Sequence, residues 1–270
     1  MRNRKPLLQT SRKGVKEGSF TQERLIRVYL PQSYEHSDQQ YPVVYMHDGK
    51  NVFRDEDAVG GKSLELEHYL DENDIGLIIV GIDAPDTFEE RVNQYCPWKN
   101  GEYCKTYFGD EKDIGGRGKE YVGFIVDELK PLIDKKYRTL VDHTSMAGIS
   151  LGGLISTYAA CRYPIIFSKI AGLSSGFWRN QEEMETLLKT TNFSKNEGIY
   201  LDCGTAETKD EKINAGFMDS NLRVNYILEN KVPNIIFKII EGGEHNYLSF
   251  QKRVPDLVGF LLNGSITTKT

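Results

Sequence analysis

The chain alternates short, continuously apolar runs with longer stretches in which apolar residues return every three or four positions. Leu77-Ile78-Ile79-Val80 is apolar without interruption, the pattern of a strand covered on both faces, as parallel sheets require. Runs of this kind predict strands at 25–30, 42–47, 76–82, 144–149, 168–173, 199–203 and 235–240. Helical spacing between them predicts helices over 63–70, 119–135, 153–162, 213–230 and 248–262. Strands alternating with helices specify an α/β chain, a mostly parallel central sheet with helices on both faces. On this pattern 1–24 is an N-terminal extension, 25–262 a single domain and 263–270 a C-terminal tail.

Composition narrows the class. At 270 residues and 39% hydrophobic, the chain has enough apolar surface for one substantial core and needs no second domain. A net charge of -5, with no basic stripe interleaved with aromatics, argues against a nucleic-acid partner. The early Arg2, Arg4, Lys5, Arg12, Lys13 and Lys16 read as a solvated extension. No apolar segment of signal-peptide type follows Met1, and no run is long enough to span a bilayer, so the expectation is a cytoplasmic protein with no membrane partner. Cys96, Cys104, Cys161 and Cys203 are then expected to be reduced, and they lack the paired C-x-x-C spacing of a zinc site. Oligomeric state leaves no mark on the sequence.

Gly148-Ile149-Ser150-Leu151-Gly152 lies where the run 144–149 meets the next helix. A G-x-S-x-G sequence at such a corner reads as a nucleophile elbow. Its glycines permit a tight strand-to-helix turn, the Ser Oγ is raised over the sheet edge, and the following N–H, that of Leu151, points where an oxyanion would form. A serine hydroxyl is a poor nucleophile at neutral pH, so the elbow demands a base and an orienting carboxylate, in the chain order Ser, acid, His. His36, His47, His68 and His143 precede Ser150, and His245 alone follows it. A lone loop histidine is more often an ordinary surface residue. Here order, a position after the last strand and a glycine-rich setting coincide, and His245 is assigned as the base. Asp202, Glu207 and Asp210 surround the loop after 199–203, where open α/β sheets gather functional groups. Glu207 is preferred, because Asp202 would lie inside the strand and Asp210 opens a segment that reads as a helix's first turn.

The second oxyanion N–H is expected from Asp48, Gly49 or Lys50, in the loop after 42–47. His47 precedes that loop and reads as structural, since its place in the chain does not satisfy the order. Arg91, Tyr95 and Trp98 in the segment 83–98, and Trp178 in 175–196, are substrate-binding candidates. Aromatic rings suit a planar acyl or aryl group, while Arg91 would either meet a carboxylate or hold its loop. The segment 175–196 lacks a strong core period and reads as a small cap, with Phe177 beside Trp178.

Arg27-Val28-Tyr29-Leu30-Pro31, the stretch Tyr41-Pro42-Val43-Val44-Tyr45-Met46-His47-Asp48-Gly49-Lys50-Asn51-Val52-Phe53, Tyr95-Cys96-Pro97-Trp98, the segment 124–134, the elbow and the His245 loop together carry a resemblance. Across about 25–262 the chain resembles the esterase family of the α/β-hydrolase superfamily, the group of feruloyl esterases, enterochelin-esterase-like trilactone hydrolases, S-formylglutathione hydrolase and the mycolyltransferase antigens. The resemblance implies an α/β-hydrolase fold and a serine esterase that forms an acyl-enzyme on Ser150 from a small-molecule ester, with no metal and no cofactor. It leaves siderophore trilactone, feruloyl or acetyl ester and small thioester open as substrates. An acyltransferase using the same residues, and a non-catalytic binding protein on the same scaffold, are the alternatives.

Overall fold

The computed structural model describes residues 9–17 and 20–262. In chain order its strands are β1 (Gln9–Glu17), β2 (Phe20–Tyr29), β3 (Tyr41–His47), β4 (Ile78–Ile82), β5 (Thr139–Ile149), β6 (Lys169–Leu173), β7 (Gly198–Gly204) and β8 (Ile235–Ile240). The helices are α1 (Leu66–Glu72), α2 (Phe88–Tyr95), α3 (Glu102–Phe108), α4 (Gly118–Phe124), α5 (Lys130–Lys136), α6 (Leu151–Arg162), α7 (Gln181–Thr190), α8 (Glu211–Glu229), α9 (Tyr247–Gln251) and α10 (Val254–Leu262). The strands form one sheet in the order β1-β2-β4-β3-β5-β6-β7-β8. From β4 to β8 every pairing is parallel, and the β1–β2 and β2–β4 pairings are antiparallel.

Both faces of this sheet are covered, which is why its central strands read as unbroken apolar runs. All residues of β4 and β6 are buried. Along β3, Val43 and Tyr45 enter one apolar cluster while Val44 and Met46 enter the other, the two-residue alternation of a strand packed on both sides. Parallel pairing also brings the C-terminal ends of β3, β5, β7 and β8 to one edge, where the loops carrying Asp48, Ser150, Glu207 and His245 emerge.

The structure adds elements that the pattern does not announce. Residues 9–17, expected to be an extension, pair with β2 as an edge strand. Their sequence has one large apolar residue, Val15, among charged neighbours, a composition that suits an edge and hides the strand from periodicity. Arg2, Arg4, Lys5 and the tail 263–270 lie outside the described residues. The segment read as a cap contains α7, whose Met184 and Leu188, four apart, are buried. The helix expected over 248–262 is two, with Pro255 in the first turn of α10, where its missing N–H costs nothing but ends a continuous helix. Among the described residues no helix is long and apolar enough to cross a membrane.

Candidate active site

Ser150 stands alone between β5 and α6, with φ 58° and ψ -120°. That strained, positive-φ conformation is rare for a residue with a side chain. The corner is tight enough that a Cβ on Gly148 would lie 2.5 Å from the Gly152 carbonyl carbon, so neither residue of this pair tolerates bulk. The Ser150 N–H donates to Leu173 O at 2.9 Å and the Ser150 carbonyl accepts from Gly153 N and Gly176 N, which pins the corner to β6 and to its own helix. Leu151 N–H, at the first helical position, has no intrahelical carbonyl to bond.

A second close approach brings the acid to the histidine. A Cβ on Gly204 would lie 2.1 Å from Gly243 O, so the loops after β7 and β8 touch backbone to backbone. Ala206 N donates to Gly243 O at 3.0 Å. Across this contact His245 Nδ1 meets Glu207 Oε2 at 2.6 Å, the Glu207 side chain being 1% exposed and that of His245 31%. The other carboxylate oxygen, Oε1, accepts from the Gly204 N–H at 2.5 Å and from Ser174 Oγ. Burial works to raise the Glu207 carboxyl, and the hydrogen bonds from His245, Ser174 and Gly204 outweigh it, leaving the group below its ordinary value. Phe217 and Phe250 pack edge-on against the imidazole, each with its ring centroid 5.3 Å from that of His245.

The rival carboxylates are engaged elsewhere. Asp202 is fully buried and paired with Arg253 Nη1 at 2.9 Å; burial pushes its carboxyl up to about 6 against the pull of that guanidinium. The same Arg253 nitrogen donates to Ser174 Oγ at 2.7 Å. Because Arg253 can only donate, the single Ser174 proton goes to Glu207, and the acid accepts at both oxygens. Asp210 caps α8, its Oδ1 accepting from Ile213 N at 2.9 Å.

Ser150 and His245 line one cavity of about 460 Å³, together with Asp48, Lys50, Asn51, Val59, the loop residues Ala84 to Phe88, Arg91, Ile149, Tyr247 and Phe250. A larger groove of about 910 Å³, near Tyr29, Arg54 and Asp71, contains neither of them. Of the expected substrate contacts, Arg91 reaches the cavity but spends its guanidinium on Asp48, through two bonds of 2.7 and 2.8 Å. Tyr95, Trp98 and Trp178 are not among the residues lining it. Tyr95 is fully buried on the inner face of α2, packed against His47 and Tyr121. Trp98 meets Tyr158 edge-on at 5.4 Å, and Trp178 stacks on Phe108 at 3.9 Å, so each ring finds a protein partner far away in the chain. Phe177, expected beside Trp178 at a cap, is core. Phe88, Tyr247 and Phe250 take their place as the aromatic residues of the cavity. Tyr247 had a signal, two residues beyond His245; Phe88 had none beyond its loop.

In the loop after β3, Asp48 adopts a left-handed conformation, φ 56° and ψ 49°, and opens a short turn over Gly49–Asn51. Its N–H donates to the Tyr95 hydroxyl at 3.2 Å. Gly49 is packed against Gly81 and Asp83 and does not line the cavity, whereas Lys50 does. Of the three expected donors, Asp48 and Lys50 line the cavity, and the Asp48 N–H is taken by Tyr95. His47 is buried, bonded to Tyr121 and Ser156, and burial pushes its imidazole down to about 3.

The profile of the esterase family, whose description reads "Putative esterase", matches residues 18–260. The uncharacterized protein YbbA of Bacillus subtilis (strain 168) is 25% identical over 251 residues, 91% of this chain and 95% of its own length. Among solved structures, an IroE-like serine hydrolase from Shewanella oneidensis is similar with a TM-score of 0.72 at 19% identity, covering 92% of this chain and 80% of the other. The siderophore hydrolase EstA from Aspergillus nidulans is similar with a TM-score of 0.73 at 16% identity, covering 93% and 94%.

Proposed function

The chain belongs to this esterase family and is a carboxylic ester hydrolase of the α/β-hydrolase fold, and on that premise we propose that Ser150 is its nucleophile, His245 its general base and Glu207 the orienting carboxylate. The observation that carries the reading is the 2.6 Å contact between His245 Nδ1 and Glu207, in a cavity that His245 shares with Ser150. Glu207 accepts the Nδ1 proton, which leaves the Nε2 lone pair for the Ser150 hydroxyl. Ser150 Oγ attacks the ester carbonyl as its proton passes to Nε2. The tetrahedral oxyanion is held by the N–H groups of Leu151 and Lys50. Collapse expels the alcohol, which takes the proton from His245, and leaves an acyl-enzyme. Water, reaching an imidazole whose side chain is 31% exposed, is then activated by the same nitrogen and releases the acid.

The substrate is a small-molecule ester, in keeping with a cavity of about 460 Å³. An ester panel spanning a siderophore trilactone, feruloyl and acetyl esters and small thioesters, read as kcat/KM, ranks the substrates. A cytoplasmic location is in keeping with four free, buried cysteines. Ser150→Ala tests the assignment: p-nitrophenyl acetate hydrolysis is lost while circular dichroism is retained, and a wild-type rate in that variant overturns it.

A further inference from the structure

Two hydrogen-bonded sets of groups meet at packed rings between the loop after β3 and the first turn of α6. Asp48 N–H meets the Tyr95 hydroxyl at 3.2 Å, and the Tyr95 ring packs on those of Tyr121 and His47, each centroid 5.2 Å away. The Tyr121 hydroxyl lies 2.8 Å from His47 Nδ1, and His47 Nε2 lies 3.1 Å from Ser156 Oγ. Ser156 Oγ donates to Gly152 O at 2.7 Å. Tyr95, Tyr121 and Ser156 are fully buried, and His47 is 3% exposed.

Each set has one end of fixed polarity, and that end assigns the protons. A backbone N–H only donates, so the Tyr95 oxygen accepts from Asp48; a backbone carbonyl only accepts, so Ser156 spends its proton on Gly152 and accepts one from His47 Nε2. A neutral His47 protonated on Nε2 accepts at Nδ1, so Tyr121 donates there. Burial, which keeps His47 neutral, agrees with this tautomer. Bonds aligned in one direction polarise and strengthen one another. The first set holds a residue that needs holding. Asp48 sits at φ 56°, and its carboxylate is clamped by Arg91 while its N–H is clamped by Tyr95.

We propose that Tyr95 is a positioning residue for the oxyanion hole, acting through its bond to the Asp48 N–H and its packing on His47 and Tyr121 to fix the loop that carries Lys50 against the helix that carries Leu151. The proposal rests on the reading of Ser150 and Lys50 given above. An oxyanion donor matters only once the carbonyl has become tetrahedral, so loosening its anchor lowers kcat and leaves KM alone.

Tyr95→Phe removes one oxygen and keeps the ring packed on His47 and Tyr121. Since losing an oxyanion donor outright costs about a hundredfold or more, loosening one is expected to lower kcat on p-nitrophenyl acetate by about tenfold. KM stays within about twofold. Affinity for phenyl trifluoromethyl ketone, which forms a tetrahedral adduct with serine, falls in proportion to kcat/KM. Tyr121→Phe, one ring further away, gives the same pattern with a smaller amplitude and serves if Tyr95→Phe does not fold. Tyr45→Phe removes a buried hydroxyl that has no hydrogen-bond partner and leaves kcat unchanged. Wild-type kcat in the folded Tyr95 and Tyr121 variants, or a loss carried entirely by KM, overturns the proposal while fluorophosphonate still labels Ser150. Absence of that label from the wild-type protein instead overturns the reading beneath it.

Discussion

His47 and His245 lie at the same edge of the sheet, one ending β3 and the other five residues beyond β8, in opposite environments. His245 is part-exposed, faces a carboxylate at 2.6 Å and borders the cavity. His47 is buried, bonded only to hydroxyls, and pushed down to about 3. A carboxylate partner stabilises an imidazolium and so suits a ring that must gain and lose a proton, whereas hydroxyl partners in a dry interior suit one that never does. On the proposed reading the same side chain serves as a base in one place and as a rigid hydrogen-bond link in the other.

Removing each ring breaks the comparison most severely. His245→Ala is expected to lower kcat/KM on p-nitrophenyl acetate by about 10⁴-fold or more, as removal of a triad base does. His47→Gln is expected to cost at most about a hundredfold, carried by kcat. Steady-state kinetics on the two variants checks the ranking, and equal losses would place His47 in the chemistry.

The carboxylates are separated next. Glu207→Gln is expected to lower kcat by about 10³- to 10⁴-fold, because the amide oxygen is held by the Gly204 N–H and Ser174, its NH2 faces Nδ1, and the wrong tautomer is presented to Ser150. Asp210→Asn keeps a good helix cap and is expected to leave kcat within about twofold. A larger effect at Asp210 would move the acid there.

Activity and stability then part company along the pH axis. His245 must be neutral to accept the Ser150 proton, so kcat/KM falls with falling pH. That limb vanishes in His245→Ala and persists in His47→Gln. Glu207, held below its ordinary value, stays ionised through this range. For stability the relevant ring is His47. Its folded value, about 3, lies below the unfolded value of about 6.5, so the unfolded chain alone binds a proton between the two. Stability therefore falls as pH falls through that window, with a slope approaching about 1.4 kcal/mol per pH unit. Asp202, pushed up to about 6 by burial, works in the opposite direction above its unfolded value of about 3.9. Chemical denaturation of wild type and His47→Gln at a series of pH values isolates the histidine. An unchanged slope in the variant would remove His47 from the account.

The smallest effect expected is at the cap of α8, where Asp210→Ala costs about 1 kcal/mol of stability, read as a shift in denaturation midpoint, with kcat unchanged.

How legible these regions were follows from what fixes them. Chain order and two glycine pairs bring Ser150, Glu207 and His245 to one edge, and both are written in the sequence. The alternation of apolar runs with helical spacing likewise carries the sheet from β2 to β8. The edge strand β1 is hidden because a charged edge strand has no periodicity to display. Tyr95, Trp98 and Trp178 were drawn toward the cavity by position, yet each meets a partner ring. Whether an aromatic ring faces a cavity or packs inward depends on what distant segments place beside it, and no local pattern records that.

The central claim, that Ser150 is activated by a His245 that Glu207 orients, is tested most directly by fluorophosphonate labelling read by peptide mass. The account predicts one adduct per chain, on Ser150, formed far more slowly in His245→Ala and Glu207→Gln than in the wild-type protein. An adduct on any other residue, or labelling of Ser150 at the wild-type rate without His245, would contradict it.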